Sequence, residues 1–253
     1  MELGLNGKRC IVIGGSRGIG RAIALSLAAE GAHVAICARQ ENALRLTEAD
    51  LRATGVGVYA AVCDIADTQA LQGFLDAARK SLGGVDVLVH NASALAVGPE
   101  LEAWQANLQV DLMAAVHACD RVMPWMAAAG GGSILLVSSI SGLEASPMTD
   151  FAYTSVKAAL IAYAKKLATL HAPSGIRVNA LAPGSIEFAG GIWAMVKEHN
   201  SELYGAVRAS IPSGRLGTPE EVADAAVYLV SPRASWVTGV CLAVDGGQHR
   251  SIP

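Results

Sequence analysis

The chain has 253 residues, of which 52% are hydrophobic, 16% charged and 5% aromatic, with a formal net charge of −3. It is too apolar for a disordered chain, and its apolar runs are shorter than the roughly 18 to 20 residues of a membrane helix. Without a basic block, nucleic-acid binding is not expected. We therefore expect a folded protein without nucleic-acid or membrane partners.

Short apolar runs alternate with segments whose apolar residues recur at helical spacing. The runs predict strands at 8–14, 33–38, 57–63, 85–90, 133–138, 176–181 and 240–244. The helical spacing predicts helices at 18–30, 42–53, 68–81, 104–128, 151–171 and 219–230. Nearly continuous apolar strands indicate a parallel sheet with helices on both faces. The predicted fold is therefore α/β, a single domain over residues 1–253 with a Rossmann-type, doubly wound sheet of seven parallel strands.

Residues 184–217 interrupt this alternation. The stretch contains Gly190, Gly191 and Pro212 together with large apolar side chains, and it is too long for an ordinary connection in a compact domain. Long insertions of this kind are usually lids or binding loops. We therefore predict a substrate lid at about 185–215, with Trp193 and Tyr204 as candidate substrate contacts.

A glycine-rich segment joins the first strand to the first helix; its sequence is Gly14-Gly15-Ser16-Arg17-Gly18-Ile19-Gly20. Glycine permits a tight turn and lets a pyrophosphate approach the backbone, while the helix N-terminus offers unpaired N–H groups. A plain strand-to-helix turn is the alternative. The position within a strand–helix–strand unit favours a dinucleotide-binding loop.

The end of the second strand indicates which dinucleotide binds. An NAD site usually has an acid there, whereas this strand is followed by Arg39. Arg39 and Arg17 can converge on a 2′-phosphate, which a guanidinium binds through two hydrogen bonds. NADP(H) is therefore the predicted cofactor. Two solvated arginines, with NAD(H) as cofactor, are the alternative.

Tyr153 and Lys157 lie four positions apart near the start of the helix at 151–171, and so on one face. A free phenol is a poor base at neutral pH, but a neighbouring ammonium favours the phenolate. The pair could then exchange a proton while a hydride moves to or from the cofactor. Ser139, fourteen positions before Tyr153, follows the fifth strand and can hydrogen-bond a substrate oxygen at the same edge of the sheet.

These motifs resemble the short-chain dehydrogenase/reductase family over essentially the whole chain, nearest to members like 3-oxoacyl-[acyl-carrier-protein] reductase. The family's catalytic Ser, Tyr and Lys match Ser139, Tyr153 and Lys157. Its other motifs are found in Ile13–Gly20 (with Ile13 in place of Thr), His90-Asn91-Ala92-Ser93, Pro183-Gly184 and Asp245-Gly246-Gly247.

The resemblance also implies how the cofactor is held. Asp64, followed by Ile65, would contact adenine, and Lys157 would hold the nicotinamide ribose. Backbone at Ile186 would meet the carboxamide. The full set of cofactor-binding residues implied is Gly14, Ser16, Arg17, Gly18, Ile19, Gly20, Arg39, Asp64, Ile65, Asn91, Tyr153, Lys157, Pro183, Gly184 and Ile186. A homotetramer or homodimer is likewise implied.

The sequence departs from the family pattern at several positions. The family's catalytic Asn, which follows a Trp by seven positions, is here Asp111, counted from Trp104; Asn107 is out of register. Asp111 is therefore a fourth candidate catalytic residue. We expect its carboxylate to hold the water of the family's Asn and to move the pH optimum, unless it is only a polar packing residue. Phe188 replaces a Thr that often bonds the carboxamide.

The predicted function is NADP(H)-dependent interconversion of a secondary alcohol and a ketone, on a small-molecule substrate, with Tyr153 as general acid and base. A 3-oxoacyl thioester reductase and a non-catalytic cofactor-binding regulator are alternatives. The six histidines show no metal-ligand spacing, so no metal site is predicted. The N-terminal residues do not resemble a signal peptide and the cysteines form no Cys-x-x-Cys pair, so a cytoplasmic location is expected.

Overall fold

The computed structural model describes residues 2–145 and 148–252. Within them, seven strands form one sheet in the order β3-β2-β1-β4-β5-β6-β7, and each neighbouring pair is parallel. The strands are β1 (Arg9–Ile13), β2 (His33–Ala38), β3 (Val58–Val62), β4 (Val87–His90), β5 (Gly132–Val137), β6 (Ile176–Pro183) and β7 (Cys241–Val244). The predicted parallel seven-stranded sheet is confirmed.

The helices cover both faces of the sheet. They are α1 (Gly18–Ala29), α2 (Glu41–Ala53), α3 (Thr68–Leu82), α4 (Leu101–Asn107), α5 (Ala114–Ala128), α6 (Phe151–His171), α7 (Ile192–His199), α8 (Ser201–Ser210) and α9 (Pro219–Val230). A π-helical turn, Leu108–Met113, joins α4 to α5. The predicted helix at 104–128 therefore begins earlier, at Leu101, and is not uniformly α-helical. None of the helices in the described ranges is long and apolar enough to cross a membrane.

Alternate residues of strand β1 face two separate apolar clusters, one on each face of the sheet. Ile11 and Ile13 pack with α3, α5 and α6 on one face, whereas Cys10 and Val12 pack with α1, α2 and α9 on the other. Because both faces are buried, the strands need no polar alternation, which is why they occur in the sequence as continuous apolar runs.

The strand order reverses between β1 and β4, and this reversal positions the site. The connections leaving the two strands diverge to opposite faces, which opens a crevice at the carboxyl ends of the strands. Five strands are followed by predicted site residues: Gly14 after β1, Arg39 after β2, Asn91 after β4, Ser139 after β5 and Gly184 after β6. The topology therefore gathers the predicted site residues at one edge of the sheet.

The predicted lid contains two helices, α7 and α8, which the sequence analysis did not assign. Its two ends are joined by a parallel bridge between Ile186 and Gly217. The N–H of Glu187 donates to the Gly217 carbonyl (2.9 Å), and the N–H of Gly217 donates to the Ser185 carbonyl (3.0 Å). The segment between these residues therefore leaves and re-enters the core at a single point.

Candidate active site

The glycine loop is packed tightly against the segment after β4. A Cβ atom on Gly14, whose φ is +79°, would lie 2.8 Å from the Cα of Ala92. A Cβ on Gly20 would lie 2.5 Å from Nδ2 of Asn91, the atom that donates to the Gly14 carbonyl at 3.0 Å. Larger residues at these positions would force the loop away from β4. Asn91 thus holds the shape of the loop.

The N-terminus of α1 has the features of an anion site. Arg17 precedes the helix and supplies no side-chain cap, so the first N–H groups of α1, at Gly18, Ile19 and Gly20, have no capping side chain. Thr47 Oγ1 fixes the turn by donating to the Ser16 carbonyl at 2.9 Å. Backbone N–H groups without a capping side chain, together with the helix dipole, suit a diphosphate, so this loop fits the expected dinucleotide.

Two arginines, in the glycine loop after β1 and directly after β2, are the residues that the sequence analysis assigns to a 2′-phosphate. Arg17 and Arg39 are exposed, and within the described ranges neither guanidinium has a hydrogen-bond or ion-pair partner. Asp64 follows β3 and is exposed, and its Oδ1 accepts from the Ala66 N–H at 3.1 Å, whereas Ile65 is buried. Both guanidinium groups are therefore available to an anionic ligand.

Lys157 lies at the centre of the candidate catalytic residues. Its side chain is only 2% exposed. Nζ lies 2.9 Å from Oδ1 of Asp111, donates to the Val137 carbonyl at 3.1 Å, and lies 5.5 Å from the centre of the Tyr153 ring. The structure therefore brings Tyr153, Lys157 and Asp111 together.

Asp111 belongs to the π-helical turn between α4 and α5, and such turns are common at functional sites. Its side chain is fully buried, and Oδ2 accepts from the N–H of Ala94 at 2.9 Å. Asn107 has a different environment: its Nδ2 donates to the carbonyls of Ala96 and Ala103. The seven-residue count from Trp104 thus identified the residue that faces Lys157. The carboxylate meets the ammonium directly, at 2.9 Å, and the water that the sequence analysis expects Asp111 to hold stays a prediction.

Ser139 is held close to α6. It follows β5, is 9% exposed, and its Oγ accepts from the N–H of Ser141 at 3.1 Å. The neighbouring Ser138 Oγ donates to the Lys157 carbonyl at 2.7 Å. A Cβ on Gly142 would lie 2.7 Å from the carbonyl carbon of Lys157, so the turn after Ser139 packs directly on the helix that carries Tyr153.

His90, the last residue of β4, is a buried neighbour that the sequence analysis named only as part of a family motif. Its side chain is fully buried, and neither ring nitrogen makes a hydrogen bond of good geometry among the described residues. Burial, foremost, and the positive charge of Lys157 lower the pKa of His90 to about 4, and the Asp111 charge and the nearby backbone of Asp111 and Val110 oppose this shift. The ring is therefore neutral at pH 7 beside the Lys157–Asp111 pair.

Pro183 is the last residue of β6, and Gly184, which follows it, packs against the C-terminal motif that begins at Asp245. The N–H of Gly184 donates to the Val244 carbonyl at 3.0 Å, and a Cβ on Gly184 would lie 2.7 Å from that of Asp245. Gln248 accepts from the Ser185 N–H at 2.8 Å and donates to Ser185 Oγ at 3.0 Å. This role of Gln248 was not predicted, since no local motif marks it.

A glycine loop beside a buried lysine and a tyrosine is the arrangement expected of a dinucleotide-dependent oxidoreductase. A family model described as enoyl-(acyl carrier protein) reductase matches residues 13–249. Isoepoxydon dehydrogenase patN of Penicillium expansum is 34% identical, over 98% of this chain and 97% of its own length. The 3-oxoacyl-[acyl-carrier-protein] reductase FabG of Escherichia coli (strain K12) is also 34% identical, over 98% of this chain and 99% of its own length.

Among solved structures, L-sorbose reductase from Gluconobacter frateurii, complexed with NADPH and L-sorbose, is 32% identical with a TM-score of 0.91 over 100% of both chains. The chain therefore belongs to the short-chain dehydrogenase/reductase family, as predicted, and is an oxidoreductase. Within the described ranges, no three His, Cys, Asp or Glu side chains are grouped so that they could hold a metal ion.

Proposed function

We propose that this enzyme interconverts a secondary alcohol and a ketone with NADP(H), with Tyr153 as the proton donor and acceptor. The observation that carries the proposal is the position of the Lys157 ammonium, 5.5 Å from the centre of the Tyr153 ring. The phenol and a buried cation therefore lie side by side, which is the arrangement that the sequence analysis expects for proton exchange with a substrate oxygen.

The roles of the side chains follow from their contacts. When bound, the nicotinamide supplies or accepts the hydride. In alcohol oxidation the Tyr153 phenolate takes the hydroxyl proton, and in ketone reduction its O–H returns a proton to the oxygen. The Ser139 hydroxyl donates a hydrogen bond to that oxygen as charge develops on it. Lys157 forms an ion pair with Asp111 and donates one hydrogen bond to the Val137 carbonyl. An ammonium carries three N–H groups, so another can bind a ribose hydroxyl of the cofactor.

NADP(H) is favoured over NAD(H) by the two unpaired guanidinium groups of Arg17 and Arg39. L-sorbose reductase, which was solved with NADPH, supports the same cofactor. Asp64 and Ile65 contribute to the adenine site. Asn91, Pro183, Gly184 and the backbone of Ile186 form the nicotinamide end of the site, by the family resemblance.

A partly hydrophobic ketone is the proposed substrate class. The lid presents Ile192 and Met195, which are 41% and 52% exposed. A 3-oxoacyl thioester is the second candidate, supported by the similarity to the bacterial acyl-carrier-protein reductase. We propose a single domain over residues 1–253 with a lid at about 185–215 and a cytoplasmic location. The resemblance to the family adds a homotetramer or homodimer to this proposal.

The proton role is tested with Tyr153→Phe, which removes the phenolic oxygen and keeps the ring. We expect carbonyl-dependent NADPH oxidation to fall by about 100-fold or more, while the variant still binds NADPH. Tyr228→Phe, at a half-exposed position on α9, is the matched control and should retain activity. Wild-type activity in Tyr153→Phe would refute the assignment. A wild type that binds NADPH but reduces none of a broad panel of ketones would favour a regulator instead.

The cofactor preference is tested with Arg39→Ala. Loss of one charged hydrogen-bonding partner of a phosphate should lower the ratio of kcat/KM for NADPH to kcat/KM for NADH by about 10 to 100-fold. Arg233→Ala, on an exposed turn after α9, should leave the ratio at the wild-type value. If the ratio does not change in Arg39→Ala, Arg39 does not bind the 2′-phosphate.

A further inference from the structure

Phe188 lies between two glycines that belong to different parts of the site. A Cβ on Gly18 would lie 2.5 to 2.9 Å from three carbon atoms of the phenyl ring, and a Cβ on Gly191 would lie 2.9 to 3.1 Å from three. Such distances are too short for a side chain at either position. The ring therefore packs directly against the main chain at Gly18 and at Gly191.

These two glycines lie at the N-terminal ends of two helices. Gly18 is the first residue of α1, where the diphosphate is proposed to bind, and Gly191 immediately precedes α7 of the lid. Phe188 itself follows the bridge between Ile186 and Gly217 and packs on the apolar cluster that includes Ile186. One apolar side chain thus connects the phosphate loop to the start of the lid.

The residue next to Phe188 connects the two lid helices to each other. Glu187 Oε1 lies 2.7 Å from Lys197 Nζ in α7, and its Oε2 accepts from Tyr204 in α8 at 2.5 Å. Lys197 also lies 5.2 Å from the centre of the Tyr204 ring. These contacts are largely exposed, so each contributes little to stability. Together they connect the segment 187–188 to both α7 and α8.

We propose that Phe188 is a positioning residue that attaches the lid to the phosphate loop, so that release of the cofactor requires the lid to move. The proposal depends on the proposed function only for the binding of the cofactor diphosphate at Gly18. A Thr at position 188, common in the family, would not fill this space.

Two measurements on Phe188→Ala test the proposal. In stopped-flow fluorescence, the dissociation rate constant of NADPH should rise by about tenfold, and Phe188→Leu, which keeps apolar bulk, should restore much of the slow release. Trypsin cleavage after Lys197 and Arg208 reports on the lid. NADPH should slow this cleavage in the wild type but not in Phe188→Ala.

Trp236→Ala is the matched control, since this aromatic side chain is 98% exposed, and it should match the wild type in both measurements. Wild-type release and wild-type protection in Phe188→Ala would overturn the proposal. If the wild type bound neither NADPH nor NADH, the proposed function would fail, but the rate of trypsin cleavage without cofactor would still test the contact between Phe188 and the phosphate loop. This rate should be higher in Phe188→Ala than in the wild type. Equal rates in the two proteins would refute the attachment of the lid.

Discussion

At the scale of single residues, Lys157 and Asp111 form a buried ion pair at the centre of the site. Their side chains are 2% and 0% exposed, and their facing atoms are 2.9 Å apart. Removing two charges from water is unfavourable, so such a pair is not retained for stability alone. The geometry is better explained by a requirement to hold the ammonium beside Tyr153.

Asp111→Asn tests what the negative charge does. The variant removes the negative charge that lies 2.9 Å from Nζ of Lys157, so the pH–rate profile for alcohol oxidation should move relative to the wild type. The remaining ammonium would be buried without a counter-charge. We therefore expect the free energy of unfolding to fall by about 3 kcal/mol, as measured by urea denaturation.

Asp50→Asn provides the control for Asp111→Asn, since Asp50 forms an exposed ion pair with Arg21 on the other face of the sheet. It should change neither the pH profile nor the stability appreciably. An unmoved pH–rate profile in Asp111→Asn would show that Asp111 has only a packing role.

At the scale of elements, one arginine joins the sixth strand to the end of the last helix. Arg177 in β6 donates to the carbonyls of Leu229, Ser231 and Val237 at 2.8 to 3.0 Å. The Arg177 side chain is half-buried, and this burial lowers the pKa of its guanidinium from the usual value. It also satisfies carbonyl groups at the C-terminal end of α9.

Arg177→Met should lower the free energy of unfolding by about 2 to 4 kcal/mol, because three carbonyls lose their donor. NADPH affinity should not change, since the contacts lie away from the carboxyl edge of the sheet. Arg52→Met, which breaks an exposed ion pair with Glu48, should cost less than about 1 kcal/mol. Equal losses in the two variants would mean that the β6–α9 connection adds no stability.

The sheet was predictable from the sequence, whereas two helical features were not. Buried strands produce apolar runs that are visible locally, and the glycine loop lies where a strand meets a helix. The π-helical turn Leu108–Met113 depends on packing against α6 and has no local signal. In the lid, scattered glycines and apolar side chains concealed α7 and α8, since their apolar residues remain exposed instead of forming a core stripe.

The candidate site was predictable to a similar degree. Spacing and motif identified Ser139, Tyr153, Lys157 and Asp111, because each has a fixed offset from a strand or helix start. The direct contact between Asp111 and Lys157, the burial of His90 and the position of the Phe188 ring were not predictable. They depend on distances between segments far apart in the sequence, which periodicity does not encode.

At the scale of the whole molecule, His90 couples protonation to folding. Its pKa is about 4 in the folded protein, against an ordinary value of 6.5. Between these values the unfolded chain binds a proton that the folded chain does not, so stability is lost as the pH falls from about 6.5 towards 4. At pH 5 this loss should be about 2 kcal/mol relative to pH 7.

His90→Asn should remove this part of the acid sensitivity, as measured by urea denaturation at pH 7 and pH 5. The exposed His199 on α7 is the control, and His199→Asn should keep the wild-type difference between the two pH values. If His90→Asn showed the same loss of stability at pH 5 as the wild type, the acid sensitivity would arise elsewhere.

The bridge between Ile186 and Gly217 has a consequence for how such enzymes diversify. Because the insert between these residues begins and ends at neighbouring points, its length is independent of the geometry of the sheet. Doubling the length of such an excursion costs only about 0.6 kcal/mol in closure entropy. Grafting a foreign peptide over residues 192–210 would therefore alter which molecules enter the crevice while the hydride-transfer apparatus stays intact.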